Sequence, residues 1–200
     1  MNYYVDIKLE GDTEITLGFI WQKVYNQMHL ALVEIKDENN MVEIGFSFPL
    51  YLNHSFPLGD VLRVFANSKE RLEELNLAKW LSRLDGYAYV GETKEVPSDV
   101  KEYVCFGRKQ FKSGAEVRRL AKRYAKRNGV SEEEALAKFE VAEKKYAKLK
   151  AENRLPFVNI KSLSTGHPIK IFIVKKEVEA EEKGQFNTYG LSNFSTLPWF

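Results

Sequence analysis

Two different spacings of apolar residues run along the first half of the chain. In residues 3–9, YYVDIKL, the apolar residues Tyr3, Val5, Ile7 and Leu9 fall on one face, and this period of two predicts a strand. From residue 17 to residue 35 the apolar positions recur every three or four residues, which predicts a long amphipathic helix. The same criteria predict strands at 42–48, 61–66 and near 87–91, with a second helix at 68–81.

The order of these elements is βαββαβ, which is the ferredoxin-like pattern. In the second half, a predicted strand at 103–109 leads into two helices, each of which begins with an S-x-x-E capping box. The boxes pair Ser113 with Glu116 and Ser131 with Glu134. Residues 157–164 and 169–175 then predict a β-hairpin.

The predicted fold class is therefore α+β, with two domains. We expect residues 1–98 to form a ferredoxin-like βαββαβ domain. We expect residues 99–200 to form a second domain that holds an arginine-rich helix, a second helix and the β-hairpin.

Positive charge is concentrated in one segment of the 200-residue chain. Residues 108–127 contain nine Lys and Arg and one acid, Glu116, so this segment carries +8. The formal net charge of the chain is only +2, so all other residues together carry −6. On a helical wheel, six of the cations lie opposite the apolar stripe of the first predicted helix of this half; they are Arg118, Arg119, Lys122, Arg123, Lys126 and Arg127.

A charged helix face is most often simply solvated, and the next helix has that character, since it mixes six acids with five lysines. The basic helix has almost no such acidic partners, and like charges one turn apart repel by about 0.2–0.5 kcal/mol per pair. An external polyanion offsets this repulsion, which favours nucleic acid. RNA is favoured over DNA because the chain shows neither a helix-turn-helix nor a dimerisation motif. Docking to an acidic protein remains an alternative.

The sequence lacks the motifs of metal and nucleotide chemistry. Its single cysteine, Cys105, and its three scattered histidines have no zinc-ligand spacing, and no P-loop, GxGxxG or HExxH motif occurs. We therefore expect no metal and no small-molecule cofactor. A lone cysteine and the absence of a long apolar run or a signal peptide favour a cytoplasmic protein with no membrane partner.

Two features of the sequence are candidates for an active site. His29 falls at the border of the apolar stripe of its helix, where a histidine is more often structural than catalytic. In the segment KSLSTGH, the hydroxyls of Ser162, Ser164 and Thr165 could hold a phosphate or a sugar hydroxyl, although these residues are also common in ordinary turns. RNA carries its own nucleophile, the 2′-OH, so a ribonuclease can act with a base and hydrogen-bond donors.

Several segments, in this order, resemble those of the CRISPR-associated endoribonucleases that process repeat RNA in type I-F (Csy) systems. They are MHLALV at 28–33, GFSFP at 45–49, RKQFKS at 108–113, VSEEEA at 130–135, SLSTG at 162–166, YGLS at 189–192 and the terminal PWF. The resemblance implies a site-specific, metal-independent endoribonuclease that cuts CRISPR precursor RNA at the 3′ base of the repeat hairpin by 2′-OH attack. It also implies that the protein stays bound to the guide RNA with other subunits of a type I-F effector complex.

The resemblance further implies roles for individual residues at the site of cleavage. His29 matches the proton-transfer histidine, Ser162 the serine that positions the 2′-OH, and Tyr189 a tyrosine that orients the histidine. Ser164 and Thr165 match hydroxyl contacts near the scissile phosphate.

Other residues match the positions at which members of the family bind the RNA hairpin. Arg108 and Gln110 match a pair that reads bases at the foot of the stem, and Arg119, Lys122 and Arg123 match groove-facing positions of the basic helix. The same helix face adds Arg118 and Lys126 as candidate RNA contacts.

Two positions depart from the family pattern. Lys122 stands where an arginine is expected, which removes bidentate recognition there. Ile169 stands where the family has a phenylalanine that stacks on the terminal base pair, and His167 is the other candidate for that stack. The alternative function is a non-catalytic subunit that binds and protects an RNA hairpin.

Overall fold

The computed structural model describes residues 1–112, 114–151, 155–161 and 166–200. The strands are β1 (Tyr3–Leu9), β2 (Met41–Val42), β3 (Ile44–Ser47), β4 (Val61–Ala66), β5 (Ala88–Val90), β6 (Lys94–Glu95), β7 (Glu102–Lys109), β8 (Phe157–Lys161), β9 (Pro168–Val178), β10 (Phe186–Asn187) and β11 (Leu197–Trp199). The helices are α1 (Leu17–Glu34), α2 (Lys69–Leu75), α3 (Leu77–Leu81), α4 (Gly114–Asn128) and α5 (Glu132–Ala151). The protein is therefore α+β, as predicted.

The first sheet has the strand order β3-β4-β1-β5, and β6 also pairs with β1. Its central pair is antiparallel, with Val5 opposite Val64 and Ile7 opposite Leu62. The alternation of β1 is as predicted, since Val5, Ile7 and Leu9 are buried. The buried face of α1 belongs to the same core and includes Trp21, whose side chain is fully buried. Burial of this apolar stripe stabilises α1 far more than the intrinsic helix propensity of its residues.

A second sheet has the order β11-β7-β9-β8. The predicted hairpin is confirmed, with Val158 opposite Ile171 in the antiparallel pair β8–β9. Buried side chains of this sheet, such as Phe106 and Ile173, share one core with the first sheet.

The chain divides into two compact units, residues 1–108 with 156–200 and residues 109–155. This division does not coincide with the one expected at residues 98 and 99. The reason is that the strands β7, β8, β9 and β11 bury their apolar side chains in the core of the N-terminal elements. Only the two consecutive helices α4 and α5 and the short segments beside them form the second unit.

Two predicted elements are interrupted. The helix predicted at 68–81 breaks at Asn76, which has φ 48° and therefore lies in the left-handed region. Its side chain accepts a hydrogen bond from the Lys79 main-chain N–H at 3.3 Å and so caps the start of α3. The strand predicted at 42–48 is split into β2 and β3, because β2 pairs with β10 whereas β3 pairs with β4.

The second unit is a pair of helices with a small core of its own. Ala121, Ala125 and Ala135 are buried, and the ring of Tyr124 packs edge-on against that of Phe139. Ser131 caps α5 at the predicted position, since its hydroxyl accepts a hydrogen bond from the Glu134 main-chain N–H at 3.1 Å. Ser113, in the first capping box, lies outside the described residues.

In the described ranges, every helix is too short or too polar to cross a lipid bilayer.

Arg63 ties the first sheet to the end of the chain. Its guanidinium donates two hydrogen bonds to the Asp6 carboxylate, at 2.7 and 2.9 Å, and a third to the main-chain oxygen of Phe200 at 3.0 Å. The same group lies over the rings of Tyr4 and Phe200, with its central carbon 4.5 and 4.3 Å from their centroids. Five favourable contacts therefore converge on one side chain that is only 12% exposed.

We expect Arg63→Met to lower the free energy of unfolding by about 2 kcal/mol, because it leaves the Asp6 carboxylate without its partner. The cost stays below that of a fully buried pair since Asp6 is 36% exposed. Urea unfolding followed by circular dichroism measures this change. The matched control is Lys69→Met, which removes an exposed pair with Glu73 and should leave the midpoint near that of the wild type. Equal midpoints for all three proteins would contradict the structural role of Arg63.

Candidate functional site

His29 is held on α1 by a loop from the other end of the chain. Its Nδ1 lies 2.7 Å from the main-chain oxygen of Thr188, and its ring stacks on that of Tyr189 with 4.3 Å between centroids and 14° between planes. The side chain is only 6% exposed. It therefore lies deeper than the border position that the helical wheel predicts, because the loop covers it.

This loop, residues 186–191, is held in place by its own hydrogen bonds. The Asn187 side chain accepts hydrogen bonds from the main-chain N–H groups of Tyr189 and Leu191, at 2.9 and 3.3 Å. Gly190 has φ 69°, and a β-carbon at this position would collide with the ring of Phe46, so only glycine fits here. Local geometry thus presents Tyr189 in a defined orientation.

Tyr25 holds the same loop through a further hydrogen bond. This residue lies one helical turn before His29, and its buried hydroxyl donates a hydrogen bond to the main-chain oxygen of Tyr189 at 2.8 Å. Two side chains of one helix face therefore hold two consecutive carbonyl groups, those of Thr188 and Tyr189.

The hydrogen bond to Thr188 determines the tautomer of the neutral His29 ring. A carbonyl oxygen can only accept, so Nδ1 must carry the proton and Nε2 keeps its lone pair. Burial lowers the pKa of His29 below its usual value. The hydrogen bond to Thr188 acts in the opposite direction, while the positive charges of Arg108 and Lys36 lower the pKa further. The ring is consequently neutral near pH 7, and Nε2 can accept a proton.

Arg108 completes a stack of three groups. Its guanidinium carbon lies 5.1 Å from the centroid of the Tyr189 ring, which itself lies against His29. The structure thus brings together three residues that the sequence singles out, His29, Arg108 and Tyr189. A cation at this place can attract a phosphate group.

The serine-rich segment is only partly described. Ser162, Ser164 and Thr165 lie outside the described residues, whereas the flanking Lys161 and Gly166 lie within them. The main-chain N–H of Lys161 donates a hydrogen bond to the Asn26 side chain on α1 at 2.9 Å. The residue just before Ser162 is therefore joined to the helix that carries His29.

The two positions that depart from the family pattern differ in burial. Ile169 packs against the main core, and His167 is exposed.

The basic helix, α4, belongs to the second unit. Its six predicted surface cations, residues 118, 119, 122, 123, 126 and 127, are all exposed, and Val117 and Ala121 of the opposite face are buried. Within the described part of the chain, no carboxylate lies at ion-pair distance from any of the six. On α5, by contrast, Lys144 pairs with Glu140 at 3.8 Å. Gln110, also in this unit, is exposed.

Sequence reasoning missed three groups that build the site. They are the Thr188 carbonyl, the Tyr25 hydroxyl and the Asn26 amide. A main-chain carbonyl leaves no signal in a sequence. Asn26 does leave one, since asparagine is an unfavourable residue inside a helix.

The site combines a buried histidine stacked on a tyrosine with a neighbouring arginine, in an α+β protein whose basic helix has no carboxylate partner for its six surface cations among the described residues. The chain matches the Cas_Csy4 family of CRISPR-associated proteins over residues 4–200, and it belongs to that family. This confirms the resemblance drawn from the sequence.

Two curated relatives align over the full length of both chains. A protein of Pseudomonas aeruginosa (strain UCBPP-PA14) is 32% identical over 201 residues, and one of Escherichia coli (strain UTI89 / UPEC) is 30% identical over 203 residues. Each is named CRISPR-associated endonuclease Cas6/Csy4.

We expect the His29 imidazole to titrate with a midpoint below its usual 6.5, because burial disfavours the charged ring. Its nitrogen chemical shifts should show the proton of the neutral ring on Nδ1 and none on Nε2. Nuclear magnetic resonance of histidine-labelled protein measures both, with His29→Gln used to assign the signals. A midpoint above 6.5, or a neutral ring protonated at Nε2, would contradict the geometry described for His29.

Proposed function

We propose that this protein is a site-specific, metal-independent endoribonuclease. It cleaves CRISPR precursor RNA at the 3′ base of the repeat hairpin and stays bound to the guide RNA. Family membership and the names of the two relatives support the CRISPR endonuclease assignment. The observation that carries the mechanism is the contact between His29 Nδ1 and the main-chain oxygen of Thr188, because it leaves the lone pair of the neutral ring on Nε2.

The proposed reaction uses the nucleophile that RNA already carries. Nε2 of His29 removes the proton of the 2′-OH, and the 2′ oxygen then attacks the adjacent phosphorus. A 2′-O–P bond forms while the P–O5′ bond breaks, which yields a 2′,3′-cyclic phosphate and a 5′-hydroxyl. The leaving 5′ oxygen takes a proton, so the protonated imidazole can return to its neutral state. No electron transfer and no external nucleophile are needed.

Hydroxyls and cations supply the rest of the proposed site. Ser162 positions the 2′-OH, and Ser164 and Thr165 contact the scissile phosphate; these roles rest on the family resemblance. Tyr189 orients His29 through the observed ring stack. Arg108, over the Tyr189 ring, is placed to act at the foot of the stem, and we assign base reading there to it and to Gln110.

In this proposal α4 binds the stem of the hairpin. Its exposed cations, namely Arg118, Arg119, Lys122, Arg123 and Lys126, face the phosphates of the hairpin in this proposal. The lack of carboxylate partners for them within the described residues supports it, since phosphates then supply the counter-charge. Retention of the guide RNA follows from many such contacts, and other subunits of a type I-F complex are the proposed protein partners.

We also assign the N-terminal elements to the ferredoxin-like fold. The order of β3-β4-β1-β5, with α1 after β1 and α2 and α3 after β4, supports this assignment. The cytoplasm, where precursor RNA is available, is the proposed location.

We expect His29→Ala to reduce the single-turnover cleavage rate by about 10²–10⁴-fold, the range that general-base catalysis contributes. Affinity for the hairpin should stay within about threefold, because the cations of α4 are unchanged. The substrate is a repeat hairpin with its 3′ flank, and the reaction contains excess EDTA. The rate is measured from the sizes and amounts of the RNA fragments. Affinity is measured with an RNA that carries a 2′-deoxy substitution at the cut.

The matched control is His54→Ala, which removes an exposed-loop histidine near Asp60 and should leave the rate unchanged. Binding without cleavage by the wild type would favour the non-catalytic hairpin-binding subunit. Cleavage only after addition of Mg²⁺ would overturn the mechanism. Loss of affinity in His29→Ala would make His29 structural.

We expect the double variant R119Q/R123Q to bind the hairpin with a weaker salt dependence than the wild type. Each lost phosphate contact lowers the magnitude of the slope of log K against log salt by about 0.7–0.9, so the loss of two contacts should lower it by about 1.4–1.8. Affinity measured at four or more salt concentrations gives this slope.

The control K144Q/K148Q removes the same charge at the same spacing from α5 and should leave the slope unchanged. Equal slopes for both double variants would contradict a specific role for α4. If an acidic protein, and not RNA, is the partner of this helix, the hairpin will bind with the same slope to all three proteins.

A further inference from the structure

Asn26 connects the helix of the candidate base to the strand that precedes the serine-rich segment. Its side-chain oxygen accepts a hydrogen bond from the Lys161 main-chain N–H at 2.9 Å. Its side-chain NH₂ donates to the Gln22 main-chain oxygen at 2.8 Å, one turn earlier in α1. Both ends of the amide are therefore engaged, which fixes the orientation of the side chain.

This contact lies at the end of β8. Lys161 is the last residue of the strand and lies opposite Pro168, the first residue of β9. The N–H of Lys161 points to α1, and Asn26 is its acceptor.

Asn26 lies three residues before His29, so the two share one face of α1 on adjacent turns. Asparagine is a poor residue for the interior of a helix, and it occurs here in the middle of an 18-residue helix. A residue that breaks a local rule is expected where function requires it. The two hydrogen bonds of its amide are the gain that compensates for the poor propensity.

We propose that Asn26 is a positioning residue: it sets the distance between His29 and the strand end that leads into Ser162. This inference rests on the proposed function, because it assumes that His29 acts on a 2′-OH held by that serine. Nothing in the chemistry requires Asn26 to touch the RNA. Its contribution is geometric, since Lys161 can shift relative to α1 when the hydrogen bond is lost.

The experiment compares Asn26→Leu, which has a similar volume but no acceptor, with Asn26→Asp, which keeps an acceptor oxygen at the same place. We expect Asn26→Leu to lower the single-turnover rate at saturating enzyme by about 10–100-fold, as small displacements of reacting groups do. Asn26→Asp should recover most of that loss. Affinity for the uncleavable 2′-deoxy hairpin should change by less than about threefold in Asn26→Leu, because the cations of α4 remain.

Two controls make the result specific. Gln22→Leu introduces the same side chain one turn earlier and leaves the Gln22 carbonyl in place, so the rate should stay at the wild-type value. Asn26→Ala repeats the test with a good helix former, in case leucine prevents folding. Thermal unfolding of every variant shows whether a change in rate merely follows a loss of stability.

Amide hydrogen exchange tests the contact independently of cleavage. The Lys161 amide should lose protection in Asn26→Leu and keep it in Asn26→Asp. Unchanged protection in Asn26→Leu would overturn the inference, and so would a wild-type rate in that variant or a rate loss that Asn26→Asp fails to recover. A wild-type protein that binds but does not cut overturns the proposed function instead, and the exchange data then show whether Asn26 still holds Lys161.

Discussion

One hydrogen bond joins residues 159 positions apart, the imidazole of His29 and the carbonyl of Thr188, and the candidate site depends on it. It fixes the neutral tautomer, which leaves Nε2 able to accept a proton. By itself this hydrogen bond raises the pKa of the ring, but burial of the side chain outweighs it and lowers the pKa. The ring of Tyr189, the next residue after Thr188, stacks on the imidazole.

Long-range contacts of single polar groups recur throughout the first unit. Arg63 joins the central strands to the last residue, and Asn26 joins α1 to the end of β8. Hydrogen bonds of this kind contribute modest net stability but strong directional constraint, since an unmet polar group in a buried place is costly. They explain how a site made from the first helix and the last fifth of the chain keeps a defined geometry.

The second unit differs from the first in the size of its core and in its surface charge. Its helices share a small core of alanines, with Tyr124 and Phe139 beside it, and its outer face on α4 carries cations without carboxylate partners in the described residues. Such a face is unfavourable in isolation, and binding of a polyanion relieves the repulsion. On α5, by contrast, Lys144 pairs with Glu140.

The local pattern of residues was sufficient to predict most of the secondary structure, the α+β class and the exposed cations of α4. The reason is that hydrophobic periodicity and charge placement are properties of neighbouring residues. The family could also be recognised from short segments in order. The separation of β2 from β3 and the limits of the two compact units could not be predicted, since each depends on which distant strand a segment meets. The same holds for the burial of His29: its helix predicts a border position, and only the folded chain brings Thr188 and Tyr189 over it. The residue types were thus set by the sequence, whereas tautomer, pKa direction and ring orientation were decided by tertiary contacts, because electrostatic environment depends on distance in space and not along the chain.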